Sequence, residues 1–325
     1  MRGVTRAAAA SVAVGTGVDA VTLKAVKRVM PAPRPHWVGD GFHVFPVFSD
    51  LAFTEELSPW LMFDYAAPKK FDPTKKRLGV GQHPHRGFAT VTIAFQGGVE
   101  HSDSAGNSDV IGPGDIQWMT AGRGIIHEEY HATEFARTGG TFEMCQLWVN
   151  LPAKHKMMAP TYQPILTGQV PVVPLQPPPA IDGETCDDKA NLGSARVIAG
   201  EIDGTVGPAQ TFSPIELWDV SLPAAGRPVM LRVPEGHNAV LFVRRGGIIV
   251  GTPGAETAVG PQGVALMHRE GVGIRLLATE PDTQLLVLGG QPLNEPIAAR
   301  GPFVMNTHHE IAQANADFRA GRMGT

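Results

Sequence analysis

The sequence predicts an all-β protein, and three observations carry that expectation. The first is composition: 38 glycines and 28 prolines in 325 residues suit many short strands joined by tight turns better than a helical bundle. The second is a recurring period of two, as in Thr90-Val91-Thr92-Ile93-Ala94-Phe95, which is the pattern of a half-buried strand. The third is that this strand rhythm occurs in two blocks separated by a proline-rich stretch, so the architecture is expected to be internally duplicated. With 43% hydrophobic and 18% charged residues, the chain is long and apolar enough for two cores.

The elements follow in order. Residues 1–28 are expected to be a disordered tail. Arg2, Arg6 and the stretch from Ala7 to Val18 faintly resemble a secretory leader, but no Leu or Phe strengthens it and Asp19 interrupts it. The first β block spans 29–160. Within it Gly97-Gly98 turns the chain after the Thr90–Phe95 strand, and Gly112-Pro113-Gly114-Asp115 turns it again before Ile116-Gln117-Trp118-Met119. Residues 161–195 contain Pro-Val-Val-Pro-Leu-Gln-Pro-Pro-Pro and a polar run around Cys186, the composition of an extended linker. The second block, 196–306, resumes the strand pattern in Ile215–Val220, Ala239–Val243 and Gln284–Leu288. From 307 to 325 the period changes. Thr307 and Glu310 make a capping box, and Ile311, Ala314 and Phe318 recur at helical spacing.

Composition also excludes function classes. A formal charge of −4 and a pI near 6.3 give no basic footprint for direct nucleic-acid binding or for anionic membranes. No apolar run reaches the roughly eighteen residues of a membrane span. Cys145 and Cys186 can build neither a disulfide framework nor a cysteine-based zinc site, so a reducing, cytoplasmic setting is expected.

Two short motifs point to chemistry. His83-Pro84-His85 and His127-Glu128-Glu129 each place metal-binding side chains at i and i+2, which share one face of a strand. Neighbouring strands would bring three imidazoles and one carboxylate together, a set suited to a divalent transition metal such as iron, manganese, nickel or copper. By the same alternation Pro84 and Glu128 should face away. His101 and His131 stand alone nearby and are expected at the barrel rim. His237 and His268 are single histidines in turn or surface settings. His308 and His309, adjacent at a helix start, point in different directions and read as solvated.

Several longer segments resemble one family. His83-Pro84-His85-Arg86-Gly87-Phe88, Gly112-Pro113-Gly114-Asp115 with Gln117-Trp118-Met119-Thr120-Ala121-Gly122, Gly124-Ile125-Ile126-His127-Glu128-Glu129 and Gln146-Leu147-Trp148-Val149-Asn150-Leu151-Pro152 are similar to the pirin family of the cupin superfamily. Gly301–Thr307 and Asp317-Phe318 resemble the pirin ending, so the likeness runs from about Val29 to the end of the chain. The resemblance implies a bicupin: two face-to-face, jelly-roll-like β-barrels, the first binding one metal and the second none. It implies His83, His85, His127 and Glu129 as ligands and Fe(II) as the metal, with Mn, Ni, Cu or Zn as alternatives. Where pirins usually carry a glutamate four residues after the second motif histidine, this chain has Ala89. The ligand set survives that change, but tuning by outer groups is altered.

The resemblance implies two functions of different class. One is a dioxygenase of the quercetin 2,3-dioxygenase type, taking O2 and a flavonol-like or other enolic small molecule, with Glu129 as ligand and catalytic base. In that reading Phe88, Trp118 and Met119 are candidates for the pocket wall, although ordinary core packing explains them better. The other is a non-catalytic, redox-sensing regulator that binds a transcription factor or a metabolic enzyme. Lys69-Lys70 and Lys75-Lys76-Arg77 would offer its charged face, and a solvated loop is their simpler reading.

Overall fold

The structure, a computed structural model, describes residues 13–14, 21–49, 54–179 and 191–324. Most of the expected N-terminal tail and the Cys186 segment lie outside the described residues. The rest is all-β as expected, and it divides into two compact units.

One unit comprises Pro33–Pro171, Gly207–Ile215 and Pro292–Thr325. Its seven-stranded sheet runs, in spatial order, Thr161–Ile165, Ile116–Thr120, Phe88–Gln96, Gly140–Asn150, Trp60–Phe71, Phe42–Phe48 and His36–Val38. A four-stranded sheet orders Ser108–Ile111, Val99–Asp103, Ile125–His131 and Gly79–His85. The named pairings within both are antiparallel. Each subdomain is therefore a pair of sheets in jelly-roll fashion rather than one closed barrel. Phe42, Ala66, Ala94 and Met144 from the larger sheet pack with Val99 and Ile111 from the smaller, so the core lies between them.

The second unit holds the described residues up to Ala32, together with Val172–Val206 and Glu216–Gln291. It repeats the plan. A seven-stranded sheet runs Val172–Pro174, Ser194–Ala199, Ile215–Leu222, Thr283–Gly290, Asn238–Arg245, Val264–Met267 and Val26–Met30, with a four-stranded sheet of Pro228–Arg232, Gly273–Ala278, Ile248–Thr252 and Ala255–Val259. Its core joins Val197, Trp218, Leu241 and Val287 to Leu231, Val250 and Ile274.

Two differences from the sequence reading concern boundaries. The expected division at residue 28 falls inside the strand Val26–Met30, which pairs with Val264–Met267 of the second unit. Just before it Val21, Leu23 and Lys24 are buried. Lys27 and Arg28 interrupt the apolar alternation, and the strand is fixed by a partner far away in sequence, which no local pattern reveals. The proline-rich stretch contains two edge strands: Thr161–Ile165 pairs with Ile116–Thr120, and Val172–Pro174 with Ser194–Ala199. Edge positions tolerate proline because one side of the strand needs no ladder partner.

The C-terminal helix His308–Arg319 starts at the expected capping box, with the Thr307 hydroxyl accepting from the Glu310 amide. Ile311 and Ala314 bury against Ala298, Phe303 and Met305. Phe318, expected on the same apolar face, is 41% exposed and only edges onto Phe303. Lys156 closes the packing beneath this segment, donating to the Gly87 and Val304 carbonyls and to Asn150.

Candidate metal centre

The site is built on the four-stranded sheet. Strand Ile125–His131 alternates strictly: Ile125, His127, Glu129 and His131 are buried while the residues between them are not. That alternation turns His127 and Glu129 inward and Glu128 outward, where Glu128 meets Arg77 at 3.7 Å. On the adjacent strand His127 lies opposite His83, but Glu129 lies opposite Val80. The register slip is a β-bulge, which re-aims side chains locally. Gly79 permits the close approach, because a Cβ there would collide with the backbone of Glu129 and Tyr130.

Three rings converge. Centroid separations are 4.8 Å for His83–His85, 4.3 Å for His83–His127 and 4.8 Å for His85–His127. Their candidate ligand nitrogens all lie within 4.8 Å of one another, and a second group meeting the same limit comprises His101, His127 and Glu129. The structure thus gathers His83, His85 and His127 and links Glu129 to them through His127. Two nitrogens, His85 Nδ1 and His127 Nε2, are buried without a hydrogen-bond partner among the described residues. Unpaired buried polar atoms are costly and rare. A cation among the rings would satisfy both, so the residues present fit a bound metal. Burial, reinforced by the His83 charge, lowers His85 to about 3. Burial and the neighbouring histidines hold His127 well below its ordinary value. Both rings are therefore neutral near pH 7, the state a metal ligand requires.

The supporting contacts are specific. His83 Nδ1 is 2.8 Å from the Gly81 carbonyl, and the His85 ring hydrogen-bonds the Pro302 backbone. Glu129 accepts from Thr92 Oγ1 at 3.1 Å and from Gln146 Nε2 at 2.6 Å. Thr92 and Gln146 are directly paired across the large sheet, so two neighbouring strands aim their donors at one carboxylate.

The cluster opens into a cavity of ≈ 270 Å³ whose wall includes His83, His85 and Glu129. Alternate residues of two strands supply much of the rest: Met62 and Asp64 from one, Met144, Gln146 and Trp148 from the other. Val38, Phe42, Val44 and Val80 add apolar surface to the lining. Asp64 is a second carboxylate on this wall, and burial raises it to about 6 against a smaller opposing pull from His36.

Several expectations about neighbouring residues change. His101 is not at a rim but buried, with Nδ1 3.5 Å from His127 Nδ1. His131 is likewise buried, bonding the Gly41 carbonyl and stacking on Phe142 at 4.4 Å. An aromatic cluster with Phe42 and Phe71 encloses it. Phe88, Trp118 and Met119, as the favoured core-packing reading expects, are core residues and do not line the cavity. His237 sits 3.1 Å from both oxygens of Glu216. Arg77, from the basic run, lies 3.8 Å over the Tyr130 ring and pairs with Glu100 and Glu128.

Asp64, Thr92, Gln146 and His101 were not read from sequence as site residues. Signals existed for two of them. Asp64 is a lone acid in the apolar run 60–65, and His101-Ser102-Asp103 repeats the i, i+2 spacing of the metal motifs.

Comparison with known proteins agrees with this architecture. The Pirin family model matches residues 41–149 and the Pirin C-terminal cupin domain matches residues 217–324. A Pseudomonas aeruginosa protein named "Putative quercetin 2,3-dioxygenase" is 48% identical over 300 residues, covering 92% of this chain and 98% of that protein. Human pirin is 34% identical over 272 residues, with 83% and 84% covered. The crystal structure of quercetin 2,3-dioxygenase from Acinetobacter baumannii superposes with a TM-score of 0.84 at 46% identity, covering 93% of this chain and 99% of that one. With both pirin domains present in order and relatives matched over nearly their whole length, the chain belongs to the pirin family, within the cupin fold.

Proposed function

We propose that this protein is a metal-dependent dioxygenase of the quercetin 2,3-dioxygenase type, using Fe(II) and O2 on a flavonol-like or other enolic small molecule. The observation that carries the reading is the junction of the histidine cluster with the apolar cavity, since His83, His85 and Glu129 stand on its wall. The names of the P. aeruginosa and A. baumannii relatives point the same way. His83, His85, His127 and Glu129 are the proposed ligands. Bound there, a redox-capable metal would supply Lewis acidity toward an enolic oxygen and a route for electrons to O2.

The chain's own residues do the rest. Glu129 is the proposed base for the enolic proton. A carboxylate has about four acceptor positions, and Thr92 and Gln146 occupy two while fixing its plane. Trp148 and Met62 offer flat and adaptable apolar surfaces to an aromatic substrate. The cavity volume, near the lower end of the ~300–1,000 Å³ usual for small-molecule sites, suits one compact ligand with little water beside it. Asp64 is a polar group on the wall available to a substrate hydroxyl, and Gln146 another beside Glu129. The buried thiol of Cys145 is compatible with the reducing, cytoplasmic setting that we include in the proposal.

The test is spectral. Metal-loaded protein should bleach flavonol absorbance in air and leave it unchanged under argon. Equal bleaching in metal-free protein would remove the proposal.

A further inference from the structure

We propose that Asp103 and His101 form a buried positioning pair that fixes the His127 ring with its proton on Nδ1 and its Nε2 lone pair turned toward His83 and His85. The inference rests on the metal reading of the histidine cluster but not on dioxygenase activity.

The strand pairing sets it up. Val99–Asp103 lies beside Ile125–His131 in continuous register, with Asp103 opposite His127 and His101 opposite Glu129. The His-x-Asp spacing therefore turns both side chains inward next to the metal motif. Their side chains are fully shielded from solvent.

Hydrogen bonding then assigns the protons in sequence. Asp103 Oδ1 accepts from the amides of Ala105 at 2.9 Å and Asn107 at 3.1 Å, and Oδ2 accepts from Asn107 Nδ2 at 2.8 Å. A carboxylate surrounded by donors is ionised and can only accept. The remaining contact, His101 Nε2 to Asp103 Oδ2 at 3.1 Å, therefore makes Nε2 the protonated nitrogen of His101. Its Nδ1 is then a lone pair, consistent with the amide of Gln117, whose Nε2 donates to it at 2.7 Å. His127 Nδ1 faces this same atom at 3.5 Å. Two lone pairs would repel there, so His127 Nδ1 carries hydrogen and Nε2, buried and unpartnered, is free to ligate. Tyr162, stacked on His101 at 5.0 Å and 19°, holds the plane of the relay.

The same contacts separate positioning from ligation. His101 lies close enough to His127 and Glu129 to join a metal group, but both of its nitrogens are already engaged. Metal-bound histidines commonly donate their second ring hydrogen to a fixed acceptor, and losing that acceptor weakens affinity roughly 10–100-fold.

The test uses the full-length, metal-free protein with 15N-labelled histidine. Long-range 1H–15N spectra should show His127 protonated at Nδ1 and His101 at Nε2. Co(II) titration should then show His101→Phe binding 10–100-fold more weakly than wild type, with a shifted d–d spectrum and an unchanged fold by circular dichroism. His101→Gln, which can still present an acceptor oxygen, should recover a large part of the affinity. Asp103→Asn should mix the His127 tautomers. His127 protonated at Nε2 in the wild type, or His101→Phe binding Co(II) with wild-type affinity and spectrum, would overturn the proposal. Failure of wild type to bind Co(II) would overturn it together with the metal reading, whereas absence of flavonol turnover would touch neither.

Discussion

Arg86 donates from its guanidinium to Asp317 at 2.8 Å across 231 residues of sequence, with only 5% of the Arg86 side chain exposed. The pair fastens the C-terminal helix to the residue that follows the metal-motif histidine. Around it the backbone is also joined, since Arg86 N–H donates to the Pro302 carbonyl and Val304 N–H to the Arg86 carbonyl. Gly87 makes this possible. It takes φ +88°, and a Cβ there would strike the Val304 carbonyl. The C-terminal segment is thus a strap that supports His85 through Pro302.

Asp317→Ala should lower stability by roughly 3 kcal/mol, because it leaves a nearly buried guanidinium without its counter-ion. Arg86, Arg322 and Gln313 hold the Asp317 carboxyl at about 2, below its ordinary 3.8. Its stabilising contribution is therefore complete above pH 3.8 and is lost as pH falls through about 2. Thermal melts of the two proteins should differ fully at pH 7 and converge toward pH 2. A pH-independent difference would assign the effect to packing instead.

Asp64→Asn should have the opposite sign. Burial raises this carboxyl from 3.8 to about 6, so the folded state holds the proton more tightly than the unfolded state. Stability is unaffected below pH 3.8 and is lost as pH rises toward 6. The variant should gain ~1–2 kcal/mol at pH 7 after allowance for partial exposure and nothing at pH 3.5. If the acid also anchors substrate, kcat/KM should fall while stability rises. A variant with unchanged stability at pH 7 would contradict the assigned burial cost.

Gln146→Leu removes one of the two donors that hold Glu129, at 2.6 Å, while keeping the side chain's approximate size. Metal affinity should fall about tenfold, measured by calorimetric titration, with the fold intact by circular dichroism. An unchanged affinity would mean that Thr92 alone orients the carboxylate.

His83→Ala and His127→Ala should each strip the metal while leaving both units folded, as read by metal analysis beside far-ultraviolet circular dichroism. A full equivalent of metal retained by either variant would refute the ligand assignment.

The legible part of this molecule was local. Strand alternation, the capping box at Thr307 and Glu310, and the inward face shared by His127 and Glu129 are properties of a few consecutive residues. What the sequence could not show depends on distant partners. Val26–Met30 is a strand because Val264–Met267 is there to pair with it. His101 is buried because its neighbours in the sheet and the Asp103 loop enclose it, although as a single histidine it resembles a surface residue. Trp118 and Trp148 illustrate the same limit. Both are aromatic residues in apolar strands, yet only Trp148 lines the cavity, a distinction made by tertiary packing of the sheets.

The most direct test of the central claim is oxygen uptake by Fe(II)-loaded protein of known metal content, with a flavonol supplied and Glu129→Ala run in parallel. The account predicts O2 consumption in proportion to the flavonol consumed and its loss in the variant. Full metal occupancy without flavonol-dependent uptake would contradict it.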